Sequence, residues 1–391
     1  MQPVPQRIPK SIWALGLVSL FMDMSSELIH SLLPVFMVST LGAGMVTVGL
    51  LEGFAEALAA ITKVFSGALS DYLGKRKGLA VLGYGAAALS KPLFALAPTI
   101  GWVFAARFLD RIGKGVRGAP RDALIADLAP PALRGACYGL RQSLDTVGAV
   151  LGPLLAMALM ALLADDIRAV YWFAVLPGFV AVAVLIAGVR EPAPARPPTQ
   201  ARPVLRLELL RRLDGAYWWV VAVGAALTLA RFSEAFLVLR AQNVGLSLTF
   251  VPLVMIVMSV TYAASAYPIG RLSDRMDRRL LLAIGLAVLL LADLALAGAT
   301  TPMMALAGIA LWGLHLGLTQ GLLAALVADT APEELRGAAF GLFNLVSGLV
   351  LLIASVLTGA LWTRYGAPAP FLAGAFFTAL AGVVFWLRPK D

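Results

Sequence analysis

Apolar residues run along this chain in long stretches broken by short polar clusters. A helix needs about 20 apolar residues to cross the hydrocarbon of a bilayer. Twelve stretches meet that length, at 12–38, 45–70, 78–97, 100–124, 135–163, 168–189, 217–240, 247–270, 280–299, 303–328, 338–363 and 367–387. Transmembrane strands would instead alternate polar and apolar positions over about 10 residues. The pattern predicts an all-α membrane protein with twelve transmembrane helices.

Composition narrows the class. Of 391 residues, 60% are hydrophobic and 14% charged, and the mean hydropathy is +0.87. A soluble domain is about 45–50% apolar and about 25% charged. The chain therefore has too little polar surface for a soluble enzyme, a disordered protein or a nucleic-acid binder. Its net charge of +9 has another explanation, the excess of Lys and Arg in cytoplasmic loops. With the N-terminus inside, the cytoplasmic pieces hold nineteen basic residues, and the external loops hold only Arg168, Arg240 and Arg364. Both termini are accordingly expected in the cytoplasm, with the chain in the cell (inner) membrane. The polar start and the long run after it do not fit a cleavable signal peptide. One cysteine, Cys137, and two histidines, His30 and His315, are too few for a thiolate- or histidine-built metal site.

A linker divides the chain. Pro192, Pro194, Pro197, Pro198 and Pro203 give it a semi-extended start. The stretch 205–213, with Arg206, Arg211 and Arg212 among leucines, suits a short amphipathic helix on the inner leaflet. The expected organisation is a six-helix bundle over 1–189, a cytoplasmic linker over 190–216 and a second six-helix bundle over 217–391.

The two halves repeat. Gly67-Ala-Leu-Ser-Asp71-Tyr-Leu-Gly74-Lys75-Arg76 recurs as Gly270-Arg-Leu-Ser-Asp274-Arg-Met-Asp277-Arg278-Arg279. Ala126-Asp127-Leu-Ala-Pro-Pro-Ala-Leu-Arg134-Gly135 recurs as Ala328-Asp329-Thr-Ala-Pro-Glu-Glu-Leu-Arg336-Gly337. The offsets are 203 and 202 residues, and the strings sit after the second and fourth spans of each half. Duplicated six-helix halves are the architecture of alternating-access transporters, with the solute held near the midplane.

On these motifs the chain resembles the major facilitator superfamily over its full length. The loop after span two is similar to that family's Gly-x-Leu-Ser-Asp-x-x-Gly-Lys/Arg-Lys/Arg signature, with Tyr72 where a basic residue is usual and Asp277 replacing the glycine in the second copy. The resemblance implies a cytoplasmic gate built from Gly67, Asp71, Gly74, Lys75, Arg76, Asp274 and Arg278. Gly139, Gly148, Gly152 and Pro153 in span five resemble the motif of the family's antiporters, mostly exporters, with Ala156-Met157 in place of its closing glycine pair. Span eleven has no matching Gly-Pro. Arg107 to Gly113 resembles the fourth-helix motif Arg-x-x-Gln-Gly-x-Gly, and the resemblance associates Arg107 with proton coupling.

Charges inside the spans carry the remaining chemistry, because an ionised side chain in hydrocarbon costs several kcal/mol unless it is paired or faces an internal cavity. Span one places Asp23, Glu27 and His30 on one helical face, and span two does the same with Glu52, Glu56 and Lys63. Span four carries Arg107, Asp110, Arg111, Lys114, Arg117 and Arg121, and span five adds Arg141 and Asp145 at i, i+4. The second half is nearly uncharged: Arg231 and Glu234 in span seven, Asp293 in span nine, and Trp312, His315, Gln320 and Asn344 as candidate contacts in a more apolar wall. Lys91, in span three, is expected to snorkel, and a place near the outer surface is the alternative for Glu52 and Glu56, since span two begins outside. Asp23, Glu27, Arg107 and Asp110 are the expected proton-coupling set. Glu56, Arg111, Lys114, Arg141, Asp145, Arg231 and Glu234 are the expected cavity residues.

No nucleotide-binding loop occurs, since Gly113-Lys114-Gly115 lacks the required spacing. The expected function is secondary active transport of a small organic solute, with proton-coupled efflux leading. Proton-coupled uptake and export of a metal or metal chelate remain as alternatives. The expected partners are the solute, protons and lipid, with no cofactor, no enzymatic activity and a monomeric state.

Overall fold

The computed structural model describes residues 7–73, 76–191, 213–273, 276–332 and 335–386. Among these residues the chain is helical throughout, without strands. The long helices are α1 (Lys10–His30), α2 (Met45–Leu73), α3 (Arg76–Leu96), α4 (Ile100–Leu128), α5 (Arg134–Leu162) and α6 (Ile167–Gly188). They are followed by α7 (Gly215–Ala230), α8 (Leu253–Ser273), α9 (Arg278–Gly298), α10 (Pro302–Thr330), α11 (Arg336–Tyr365) and α12 (Ala369–Trp386).

Polar residues at the loop ends start several of these helices by accepting from backbone amides that have no partner in the first turn. Asp166 accepts from Arg168 and Ala169 at 3.0 and 3.1 Å, and Asp214 accepts from Tyr217 at 3.0 Å. Thr99 and Thr301 do the same for Trp102 and Met304. Gly366, at φ 88°, ends α11 in the left-handed region that a side chain would disfavour.

Two spans are less regular than their apolar runs predict. Beyond α1 the chain continues as Leu33–Val35 and a π-helical turn, Phe36–Thr40. The expected seventh span breaks after Ala230 and resumes at Ala235–Asn243. At the break Ser233 turns its hydroxyl onto the Ala235 amide at 3.3 Å, a local bond that competes with helix continuation.

By contacts, the chain forms two compact units: Met1–Leu32 with Leu58–Val204, and Leu33–Ala57 with Leu205–Asp391. The second unit thus takes in the end of the first expected span and the first part of α2. In the first unit α1 packs on α5 and α6, and α3 packs on α4 and α6. In the second unit α7 packs on α11 and α12, and α9 packs on α10 and α12. The same four pairings recur six helices later, so the repeat read in two loops extends to the packing. Leu15, Val18, Met22, Tyr84 and Ala87 fill one core. Tyr217, Val220, Val327 and Ala339 fill another, where the Tyr217 hydroxyl donates to the Ala339 carbonyl at 2.9 Å. Many large apolar side chains, among them Phe65, Leu176, Phe376 and Trp386, face outward, as a lipid-facing surface requires.

Candidate functional site

The charged residues of the first unit meet on the facing sides of α1, α3, α4 and α5. Helical periodicity puts Arg107, Asp110, Arg111, Lys114, Arg117 and Arg121 within about one third of the α4 circumference. That stripe carries the chemistry.

Three side chains form a chain at its Arg107 end. Arg107, 3% exposed, meets His30 Nε2 at 2.7 Å, and His30 Nδ1 lies 3.6 Å from Glu27 Oε2. A guanidinium has only donors, so Nε2 must accept and the ring proton sits on Nδ1, facing Glu27. His30, which the sequence placed only on a face with Asp23 and Glu27, therefore bridges an acid and an arginine. Asp110 is engaged elsewhere. It pairs with Lys91 at 2.7 Å, and Lys91 also donates to Ser26 at 2.9 Å. The expectation that Lys91 snorkels is overturned: its side chain is 1% exposed and held between α4 and α1.

One turn before Glu27, Asp23 lies against the carboxyl of Asp145, within electrostatic reach of Arg117 and Lys114. Arg141 reaches Asp145 at 3.5 Å. Arg111 is buried and Lys114 exposed, and both act on Glu27. Arg117 stacks over the Tyr84 ring at 4.7 Å, a cation–π contact that the sequence did not signal.

The span-five motif acts on this cluster through packing. A Cβ at Gly148 would lie 2.4 Å from the Leu20 carbonyl oxygen. At Gly152 it would lie 2.6 Å from the Met24 carbonyl oxygen and 3.1 Å from Glu27 Cβ. These two glycines let α5 press on α1 where Asp23 and Glu27 project. Gly139 has open space around it, and Pro153 is buried within α5.

The other expected residues fall apart from this cluster. Glu52, 2% exposed, and the half-buried Glu56 belong to the second unit. Arg231 and Glu234 interact at the break after α7. Trp312 is packed in an aromatic cluster, 5.3 Å from Phe232 between ring centres. His315 Nδ1 meets the Gly285 carbonyl at 2.7 Å, while Gln320 and Asn344 are exposed. Around the loop after α2, Gly67 faces Ala119, and Arg76 bonds the Ala123 carbonyl and Asp127. Asp71 closes α2 and Arg278 opens α9, with their side chains outside the described residues, as are Gly74, Lys75 and Asp274. The expected amphipathic stretch of the linker also lies outside them, apart from Leu213.

The sequence matches the Major Facilitator Superfamily over residues 15–240 and 227–391. The chain belongs to the major facilitator superfamily. An uncharacterised MFS-type transporter of Methanocaldococcus jannaschii is 31% identical over 97% of this chain and 95% of its own length. A multidrug resistance protein, MdtH, of Yersinia enterocolitica is 33% identical over a shorter stretch, 34% of this chain and 33% of that protein. A bacterial homologue of the human lysosomal transporter Spinster, solved inward-facing and unoccupied, has the same fold. The TM-score is 0.79 at 15% identity, over 99% of this chain and 97% of that one. The chain is thus a multi-pass membrane transporter of this superfamily.

Proposed function

We propose that this superfamily member is a proton-coupled exporter of a small organic solute, working as a monomer by alternating access with both termini in the cytoplasm. The observation that carries the reading is the Glu27–His30–Arg107 chain, with Gly152 packed against Glu27. A proton on Glu27 and the positive charge of Arg107 oppose each other through His30. Movement of Arg107 toward a solute is thereby linked to proton uptake at Glu27. Asp23 and Asp145, two carboxyls in contact, are a second place where one proton can be shared. Efflux is supported by the Gly148, Gly152 and Pro153 face of α5 and by the partial likeness to a multidrug resistance protein. A metal exporter is disfavoured by His30, whose Nε2 lone pair is directed at a guanidinium.

The test is transport in proteoliposomes, with a solute identified by exposing a deletion strain to toxic compounds. Glu27→Gln and Asp23→Asn, assayed separately, should identify one acid whose loss abolishes proton-driven accumulation and spares solute counterflow. If both variants concentrate solute with the wild-type pH dependence, coupling lies elsewhere, with Asp110, Glu56 and Asp145 next in order. Proton-driven uptake into right-side-out vesicles would reverse the direction assigned here.

A further inference from the structure

Asp293 stands on α9, in the second unit, and is wholly buried at 0% exposure. Neither of its carboxyl oxygens has a hydrogen-bond partner among the described residues. The carboxyl is pressed flat against α12: a Cβ at Gly374 would lie 2.9 Å from Asp293 Oδ2, 3.1 Å from Cγ and 3.2 Å from Oδ1. Thr378, one turn on along the same face of α12, acts on this carboxyl, and its own buried hydroxyl also lacks a hydrogen-bond partner. Three buried polar oxygens without partners thus gather at the seam between α9 and α12.

The neighbouring elements decide what can satisfy them. An ionised carboxylate inside a membrane needs a cation or several donors beside it. The helices packed on α9 are α10 and α12. No charged or titratable side chain occurs on α12 over Ala369–Trp386, and on α10 there is none before the last turn except His315. His315 is engaged at Gly285, about two turns before Asp293 on α9. Arg240 reaches the end of α9 but gives its donors to the carbonyls of Leu296, Ala297 and Ala299 and to Asn243. The other charged residues of α9, Arg278 and Arg279, stand in its first turn, about four turns away. Along α9 the site is flanked by the buried Leu289, Ala292 and Leu296. A metal ion would need several more oxygens than the three gathered here. A proton needs none: it turns the acceptor-only carboxylate into a neutral group with one donor, which a threonine hydroxyl can accept.

We propose that Asp293 is a proton-binding site of the second unit, its proton occluded between α9 and α12 beside the Thr378 hydroxyl. Both helices belong to one unit, so this proton meets water only when the seam between them parts. A coupling acid must meet water in every cycle, and an occluded one need not. The site is therefore distinct from the coupling proton assigned to Glu27 or Asp23, and neither assignment depends on the other.

The experiment is infrared difference spectroscopy of the purified full-length protein in lipid at neutral pH, wild type against Asp293→Asn, with aspartate isotope-labelled at the side-chain carboxyl carbon. Wild type should show a carboxylic-acid carbonyl band, moved by the label, that Asp293→Asn lacks. After transfer to heavy water that band should shift slowly, on the scale of protected backbone amides. Should Asp293→Asn fail to fold, the double variant Asp23→Asn, Asp145→Asn carries the test. With those two contacting carboxyls removed, the slowly exchanging labelled band must persist. The proposal is overturned if Asp293→Asn loses carboxylate bands instead, if the acid band exchanges within the mixing time, or if the double variant lacks it. A thermal-shift titration with sodium chloride against choline chloride closes the remaining route. Saturable stabilisation by sodium in wild type and not in Asp293→Asn would make the site one for a metal cation and overturn the proposal as well. Unimpaired coupling in both Glu27→Gln and Asp23→Asn would remove the coupling reading and leave this site standing, whereas loss of the infrared band does the reverse.

Discussion

Removing Lys91 should be among the most destabilising single changes in the first unit. Lys91 Nζ lies 2.7 Å from Asp110 Oδ1, and the two side chains are 1% and 6% exposed. At that distance and an effective dielectric constant of about 20, Coulomb attraction is about 6 kcal/mol. Most of it offsets the cost of taking both charges out of water, so the intact pair adds little net stability. Loss of one partner is different, because Asp110 is left buried without its hydrogen-bonded cation, with only the weaker pull of Arg111, Arg107 and Arg117 to offset its charge; the expected cost of Lys91→Met is about 3–5 kcal/mol. Replacing both members, Lys91→Met with Asp110→Leu, should recover most of that loss. The assay is a double-mutant cycle on reversible unfolding in mixed detergent micelles, with Asp110→Leu as the fourth corner. Two results would refute the reasoning: Lys91→Met within about 1 kcal/mol of wild type, or a double variant whose loss equals the sum of the single losses.

The span-five glycines should separate by position. Gly148→Val and Gly152→Val drive side chains into the Leu20 and Met24 carbonyls and should abolish transport and lower folded yield, while Gly139→Ala, with open space around it, should match wild type in both. Equal behaviour of the three variants in yield and flux would remove the packing role of the motif. At the cytoplasmic loops, Asp71→Asn should cripple transport at near-normal yield, and Asp274→Asn, in the copy that has lost its motif glycine, should do less; normal flux in folded Asp71→Asn would remove the gate role.

Apolar run length exposed the helices almost completely, since hydrocarbon thickness leaves few other ways to use such runs. The least apolar span shows the limit of that signal. Among the described residues eleven helices are long and apolar enough to cross a membrane, and the heavily charged α4 is not one of them. It was still legible as a span from its place between two apolar neighbours and from the repeat. The pairings were not legible. Periodicity puts Asp110 on a face but cannot say that Lys91, nineteen residues earlier, reaches it. Nor could it show that His30 stands between Glu27 and Arg107, because that contact depends on how α1 and α4 pack. The break in the seventh span, where the Ser233 hydroxyl accepts from the Ala235 amide, left no periodic trace. Span counting also gave no hint that the stretch Leu33–Ala57 packs with the second unit.

The two units use buried polar groups in different ways, and the difference bears on which of them can switch. In the second unit such groups mostly bond backbone. Arg240, 4% exposed, donates to the carbonyls of Leu296, Ala297 and Ala299 at 2.8–3.1 Å, holding the end of α9. His315 meets the Gly285 carbonyl, and Thr319 donates back to the carbonyl of His315. Bonds of this kind are fixed by the helix that supplies the carbonyl and persist while the helix does. Asp293 departs from the pattern, with neither carboxyl oxygen hydrogen-bonded to a described residue and Gly374 close beside it. In the first unit the buried hydroxyls of Ser25 and Ser66 also bond backbone, but the charged groups of the spans join side chain to side chain: Lys91 to Asp110, Arg107 to His30, Arg141 to Asp145. Such partners can be exchanged by rotamer changes and small helix shifts without breaking a backbone bond. A solute charge or a proton can therefore redistribute them at a cost of a few kcal/mol, within the range that a bound ligand supplies. On that ground the readily exchanged charge contacts are those of the first unit.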